Sequence, residues 1–184
     1  MKERPYTNRS YLDALETRVL IFDGAMGTSL QAMDLEAEDY GGEGHFGCID
    51  YLVLTRPDVV EQVHRSFLEV GSDVLETNTF RANRLTLNEF GLGDEVLKIN
   101  HAAAQIARNI ADEYSTDEQP RFVAGTIGPT GMLPSADDPD LSDITFDELV
   151  RIFQEQAIGL IQGGVDLLLI ETSQDLLEVK AVIE

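Results

Sequence analysis

Four apolar runs, each closing on a polar string rich in Gly or Thr, set the rhythm of this chain. Val19–Phe22 leads into Asp23-Gly24-Ala25-Met26-Gly27-Thr28. Asp73–Glu76 leads into Thr77-Asn78-Thr79-Phe80, and Phe122–Gly125 into Thr126-Ile127-Gly128-Pro129-Thr130-Gly131. Val165–Ile170, interrupted only by Asp166, leads into Glu171-Thr172. Short apolar runs bounded by such turn signals read as buried strands.

Helical periodicity fills the intervals. Ser10 to Glu16 reads as a short helix ahead of the first strand. Pro57 suits the first position of a helix over Asp58 to Val70, with Val59, Val63, Phe67 and Val70 on one stripe and Gly71 as its stop. Asp94 to Tyr114 reads as a long helix, with Val96, Leu97, Ile99, Ala103, Ile106, Ala107 and Ile110 mostly inward. Thr145 and Glu148 have the spacing of a capping box for a helix over Phe146–Gln162, which Gly163-Gly164 ends. Gln174 to Glu184 begins another helix. Met33–Gly47 and Leu133–Asp143 read as loops, the first as a lid or mobile segment.

Alternating strands and helices, with polar residues at the strand C-terminal ends, predict a parallel α/β fold that binds its ligand at that end. The expected class is a (β/α)₈ TIM barrel, of which this chain supplies about the first four βα units. Units of about 46 residues put eight at roughly 300 residues or more. The pattern stops inside a helix, so residues 1–184 are expected to be the N-terminal half of one barrel domain, truncated at its C-terminal end. The alternative is a small open doubly wound sheet. No repeat beyond the βα alternation and no boundary between two domains is visible.

Charge narrows the partners. Asp and Glu total 34 against 13 Lys and Arg, a net −21, which argues against nucleic acid or an anionic membrane. The lysines are only Lys2, Lys98 and Lys180. Two readings fit: an ordinary acidic soluble enzyme, or adaptation to high salt. No stretch is apolar enough to span a membrane, and Met1 to Ser10 lacks the apolar core of a secretory signal. The single cysteine, Cys48, excludes an internal disulfide and points to a reducing, cytoplasmic setting. It also excludes a multi-cysteine metal site built from this chain alone.

The strand ends carry the candidate chemistry. In Asp23–Thr28 the glycines allow backbone N–H groups close to a ligand, while Asp23 attracts an ammonium. That pairing suits a zwitterion, an amino acid; the plain alternative is a turn capped by Asp23. Glu171, after an apolar run, would lie on the same face and share the ammonium, unless it simply faces solvent at the strand end. Asn78 and Thr79 either hydrogen-bond a ligand or brace a neighbouring loop. Glu76 reads as pointing outward to a helix. His64 lies on a helix remote from the active face, with a structural role; His101 is similar, and Cys48 reads as inert. No Ser/His/Asp set, P-loop or dinucleotide fingerprint is present.

Phe22–Thr28 resembles the opening of the homocysteine S-methyltransferase family. So do Val63–Phe67 with its His64, Gly71–Asp73, Glu76–Phe80, Gly128–Thr130 and Ile170–Thr172, in this order and spacing. Asn100–Arg108 and Ile144–Asp147 favour the cobalamin-dependent methionine synthase subgroup. The resemblance implies a (β/α)₈ barrel in which homocysteine takes a methyl group from methylcobalamin to give methionine. It implies a zinc ion on three cysteines of later strands, absent from this chain, so the 184 residues alone are expected to be inactive. Folate and cobalamin modules and the other half-barrel would be partners. By the resemblance, Asp23 and Glu171 hold the homocysteine ammonium, and the backbone of Gly24, Ala25, Met26 and Gly27 meets its carboxylate. With Asn78 and Thr79 these complete the expected substrate site; no catalytic or metal-ligating residue is assigned. Alternatives are a stand-alone methyltransferase using betaine or S-methylmethionine, or a non-catalytic half-barrel that needs a partner chain.

Overall fold

A computed structural model describes residues 9–184. Most of the charged N-terminal stretch read above lies outside the described residues. In chain order the α-helices are α1 (Arg9–Thr17), α2 (Met26–Gln31), α3 (Leu52–Thr55), α4 (Pro57–Glu69), α5 (Arg84–Asn88), α6 (Val96–Tyr114), α7 (Pro139–Ser142), α8 (Phe146–Gly163) and α9 (Leu176–Ile183). The strands are β1 (Val74–Glu76), β2 (Phe122–Ile127) and β3 (Leu167–Ile170).

The sheet is parallel, in the order β1-β2-β3, with Val74 opposite Phe122 and Ala124 opposite Leu167. Neighbours in sequence are neighbours in space, with no reversal of order. The packing is equally one-sided. Leu75 and Val123 meet Leu68 of α4 and Ala107 and Ile110 of α6, and Ile127 meets Leu149, Phe153 and Leu160 of α8. The opposite face, Val74, Phe122, Ala124, Leu167 and Leu169, receives Tyr11 and Ala14 of α1. The crossover helices α4, α6 and α8 thus share one side of a singly wound sheet, not the two sides a doubly wound sheet uses.

The first expected strand differs. Val19–Phe22 is extended but joins the sheet through a single bridge, Phe22 to Val74. Val19 and Ile21 are 77% and 55% exposed, so among the described residues little covers this edge from outside. A carboxylate takes over part of the ladder: Asp73 Oδ2 accepts from the Ile21 N–H at 3.0 Å, and its Oδ1 holds Arg18 at 2.8 Å and Arg121 at 3.0 Å. Asp166 repeats the device two strands along, accepting from the Val123 N–H at 2.7 Å and from Arg108 at 2.8 Å.

Helix limits follow local chemistry. Pro57 opens α4 as expected, but Val70 is its C-cap and 81% exposed. The buried stripe runs through Val59, Val60, Val63, His64 and Leu68 instead. A 3-10 turn over Gly93–Glu95 precedes α6, whose buried face is Val96, Ile99, Asn100, Ala103, Ala104 and Ala107; Leu97 lies one position round and is 44% exposed. The Thr145–Glu148 capping box is formed and Gly164, at φ 97°, closes α8. Thr145→Ala should lower stability by about 1 kcal/mol in urea denaturation, the usual worth of such a cap.

Two joints bind the elements. Gly159 and Gly163 bring α8 against α6: a Cβ on Gly163 would sit 2.4 Å from Ala104 Cβ and 2.7 Å from the His101 carbonyl oxygen. At the other joint, α9 holds the loop after β2. Asp175 accepts from the Ser135 N–H at 2.7 Å and from the Leu177 N–H at 2.8 Å, and buried Glu178 accepts from the Thr130 N–H at 2.9 Å. The stretch Met33–Gly47, expected as a loop, holds regular turns. It folds into 3-10 turns, with Tyr40 buried against Phe46 and Asp39 paired to Arg56.

Candidate functional site

A cavity of about 670 Å³ opens at the C-terminal ends of the strands. Asp23, Gly24, Ala25, Met26, Gly27, Asn78, Thr79 and Glu171 all line it, so the structure brings every residue of the expected site to one place. Gly24 packs on Phe67, where a Cβ would come within 3.1 Å of the ring. The amides that follow begin α2, where the first N–H groups of a helix lack intrahelical partners.

Asp23 anchors the site. Its N–H donates to the Val74 carbonyl at 2.9 Å, and its Oδ1 accepts from the Glu76 N–H at 3.0 Å. The side chain is only 2% exposed. Burial pushes its pKa up to about 8; the Glu76 N–H opposes the rise and the Glu76 carboxylate adds to it.

Glu76 corrects the sequence reading. Strand alternation puts Glu76 on the same face as Val74, the face that receives α1, and it lines the cavity, not turned outward to a helix. Burial raises its pKa, and the charge of Glu171 raises it further. Glu171 follows β3, its N–H held by the Ile127 carbonyl at 3.1 Å. Thr172 turns the chain at once, at φ 55°, a left-handed conformation that a β-branched residue adopts only under strain. Four carboxyl groups, Asp23, Asp50, Glu76 and Glu171, therefore line one cavity with Arg81 beside them, which leaves a place for a cationic group.

The other candidates divide. Asn78 donates to the Ile49 carbonyl at 2.9 Å and so braces the turn that walls the cavity. Thr79 Oγ1 donates to the Thr126 carbonyl at 2.8 Å within a Thr77–Thr79–Thr126 network, and Gln156 donates to the Thr79 carbonyl at 2.9 Å. Cys48 lines the cavity as a buried thiol, pushed up to about 12 by burial and then by Asp50. Asp50 itself accepts from the Arg81 N–H at 3.0 Å, and burial lifts it to about 6. His101 does not line the cavity. His64 is not remote from the site: it is fully buried behind Asp23, with Nδ1 3.9 Å from Asp23 Oδ2. Sequence reading missed Glu76, Asp50 and His64; strict strand alternation from Val74 was the signal that located Glu76.

Zinc fits poorly here. Among the described residues no group of three or more His, Cys, Asp or Glu is placed to hold a metal ion. The one cysteine is held as a thiol, whereas zinc binds thiolate. Among the described residues no helix is long and apolar enough to cross a membrane.

Known proteins resemble this chain in sequence and in fold. The family profile for homocysteine S-methyltransferase matches residues 20–184. The methionine synthase of Mycobacterium tuberculosis is 40% identical over 172 residues, 94% of this chain and 14% of that protein. That of Mycobacterium leprae is 39% identical over the same share. The chain thus spans about one seventh of the length of these relatives. The metallated form of the homocysteine methyltransferase MmuM from Escherichia coli superposes with a TM-score of 0.73 at 19% identity, over 95% of this chain and 60% of that one. Its oxidised form gives the same score over 91% and 58%. At that identity the likeness establishes a shared fold. By its sequence match, this chain belongs to the homocysteine S-methyltransferase family.

Proposed function

We propose that this chain is the homocysteine-binding part of a methionine synthase. The observation that carries the reading is the convergence of Asp23, Glu76 and Glu171 on one cavity beside the amides of Gly24–Gly27. The ammonium of homocysteine sits between Asp23 and Glu171, with Glu76 beneath, and the carboxylate meets the amides that open α2. The fold belongs to a (β/α)₈ barrel, and residues 1–184 supply about its first four units; the sequential strand order and the one-sided helices support this. The methyl group comes from methylcobalamin on other modules of the whole protein. Zinc ligands lie outside this chain, and no step on these residues runs through the metal.

Isothermal titration of the full chain with L-homocysteine tests the reading. One-to-one binding is expected, and Glu171→Gln should weaken it about tenfold or more, the scale of losing one charged partner. No heat of binding with the unaltered protein sinks the proposal. Residues 1–184 alone should take up no stoichiometric zinc; tight one-to-one uptake would move the metal site onto this chain.

A further inference from the structure

The proposed function leaves His64 unused, yet its position is hard to explain by packing. Its side chain is fully buried and neither ring nitrogen has a hydrogen-bond partner. Buried polar groups nearly always find partners, and an unmade bond destabilises the fold. One turn away on either side, the same face of α4 carries buried Val60 and Leu68, so an apolar residue at 64 would continue it. The imidazole instead ends 3.9 Å from Asp23 Oδ2. That gap is too long for a hydrogen bond, and a small shift of either side chain closes it.

The surrounding charges isolate this pair. Asp23 faces the Glu76 carboxylate, and Glu171 acts on Glu76 in turn. Asp50, Cys48 and Arg81 line the same cavity. Around His64, helices α2 and α3 carry no ionisable residue, and the buried face of α6 is apolar apart from Asn100. Asp58, Glu61, Arg65 and Glu69 of α4 line a separate surface groove, and Arg65 is paired with Glu113 of α6. Burial alone lowers the His64 pKa, to about 4, so the imidazole is neutral near pH 7 while Asp23 still holds its proton.

We propose that His64 is a positioning residue for ammonium recognition: Nδ1 closes on Asp23 Oδ2 and supports the ionised carboxylate that a bound ammonium requires. This rests on the reading of the site given above. When the ligand enters, the Asp23 O–H bond breaks, the proton leaves to solvent, and the carboxylate pairs with the ammonium. The imidazole stays neutral, with an N–H at Nδ1 directed to Oδ2. The unpartnered nitrogens of the ligand-free protein are then the stability given up for binding, a trade-off common at functional sites.

The test is a set of three His64 variants, with Asp23→Asn as a second background, titrated with L-homocysteine at pH 7 in buffers of different ionisation enthalpy. The unaltered protein should release close to one proton per ligand. His64→Leu should raise the melting temperature but weaken binding about tenfold, and move the Asp23 titration up by about one pH unit. His64→Asn, whose amide falls where Nδ1 stood, should restore most of the affinity; His64→Gln, whose amide falls near Nε2, should not. In an Asp23→Asn background His64→Leu should have no further effect on binding. A merely structural histidine cannot give higher stability with weaker binding, nor separate Asn from Gln. Unchanged affinity and proton release in His64→Leu, or an equal loss in the Asp23→Asn background, overturns the proposal. If the unaltered protein binds no L-homocysteine, the reading of the site fails. His64 is then judged on the ligand-free titration of Asp23, followed by ¹³C labelling. The same midpoint in His64→Leu overturns the proposal, and an upward shift supports it.

Discussion

Asp23→Asn should weaken L-homocysteine binding by about a hundredfold or more, and make the ligand-free protein more stable above neutral pH. The loss in binding follows from geometry. Asp23 is almost wholly buried at the cavity wall, and removing one member of a buried charge pair costs roughly 2–5 kcal/mol. The gain in stability follows from proton linkage. The folded-state pKa of Asp23 is about 8 against an ordinary 3.8, so its favourable contribution is complete below pH 3.8 and is lost as the pH rises through 8. His64 acts with the opposite sign, losing stability as the pH falls from 6.5 towards 4. Asp50 passes its midpoint near pH 6, so only the tail of its loss falls above pH 6.5. From pH 6.5 to 8 the slope is therefore set mainly by Asp23. The ligand-free protein should lose roughly 2 kcal/mol over that window, and Asp23→Asn should abolish most of the loss. Melting curves at pH 6.5 and 8 and one titration with L-homocysteine decide both halves. A variant that still binds within a factor of about three would remove Asp23 from the site.

Gly163→Ala should destabilise the fold by about 3 kcal/mol, far more than a glycine-to-alanine change in a helix normally does, and with the opposite sign. Alanine is the better helix former, so local propensity predicts a gain. Packing overrides it, because the new Cβ would lie 2.4 Å from Ala104 Cβ and 2.7 Å from the His101 carbonyl oxygen. Backbone cannot yield as a flexible side chain can, so the C-terminal end of α8, where Gly163 lies, must move away from α6. Urea denaturation of Gly163→Ala reads the loss. Adding Ala104→Gly should recover only part of it, since the His101 carbonyl remains. A neutral Gly163→Ala would mean that α8 rotates freely against α6, contrary to the packing.

The fold was legible wherever a local signal coincided with burial. Pro57, the Thr145–Glu148 box and Gly164 mark helix ends in sequence because capping is local chemistry. The cavity was legible because strand ends in a parallel sheet share one edge, so residues from Asp23 to Glu171 converge without any knowledge of contacts. What escaped was tertiary. The weak pairing of Val19–Phe22 depends on Asp73, some fifty residues away, offering a carboxylate in place of a backbone carbonyl. His64 was misplaced because a helix position does not reveal that its inward face abuts the end of a neighbouring strand. Glu76 was misjudged because alternation ties it to the face of Val74, and which face Val74 takes is set by its tertiary partners.

The contacts of α9 with the loop after β2 bear on the order in which the chain acquires its shape. The Thr130 and Ser135 amides are held by Glu178 and Asp175, separated from them by 48 and 40 residues. As the polypeptide leaves the ribosome, β2 can pair with β1 while its following loop still lacks both anchors. That loop is then fixed late, after α8 has docked and α9 has emerged. Closing so long a loop is entropically slow compared with forming the helices it encloses. The loop after β2 is thus fixed by some of the last residues of the segment to be made, although the first acidic residue of the cavity, Asp23, is among the earliest.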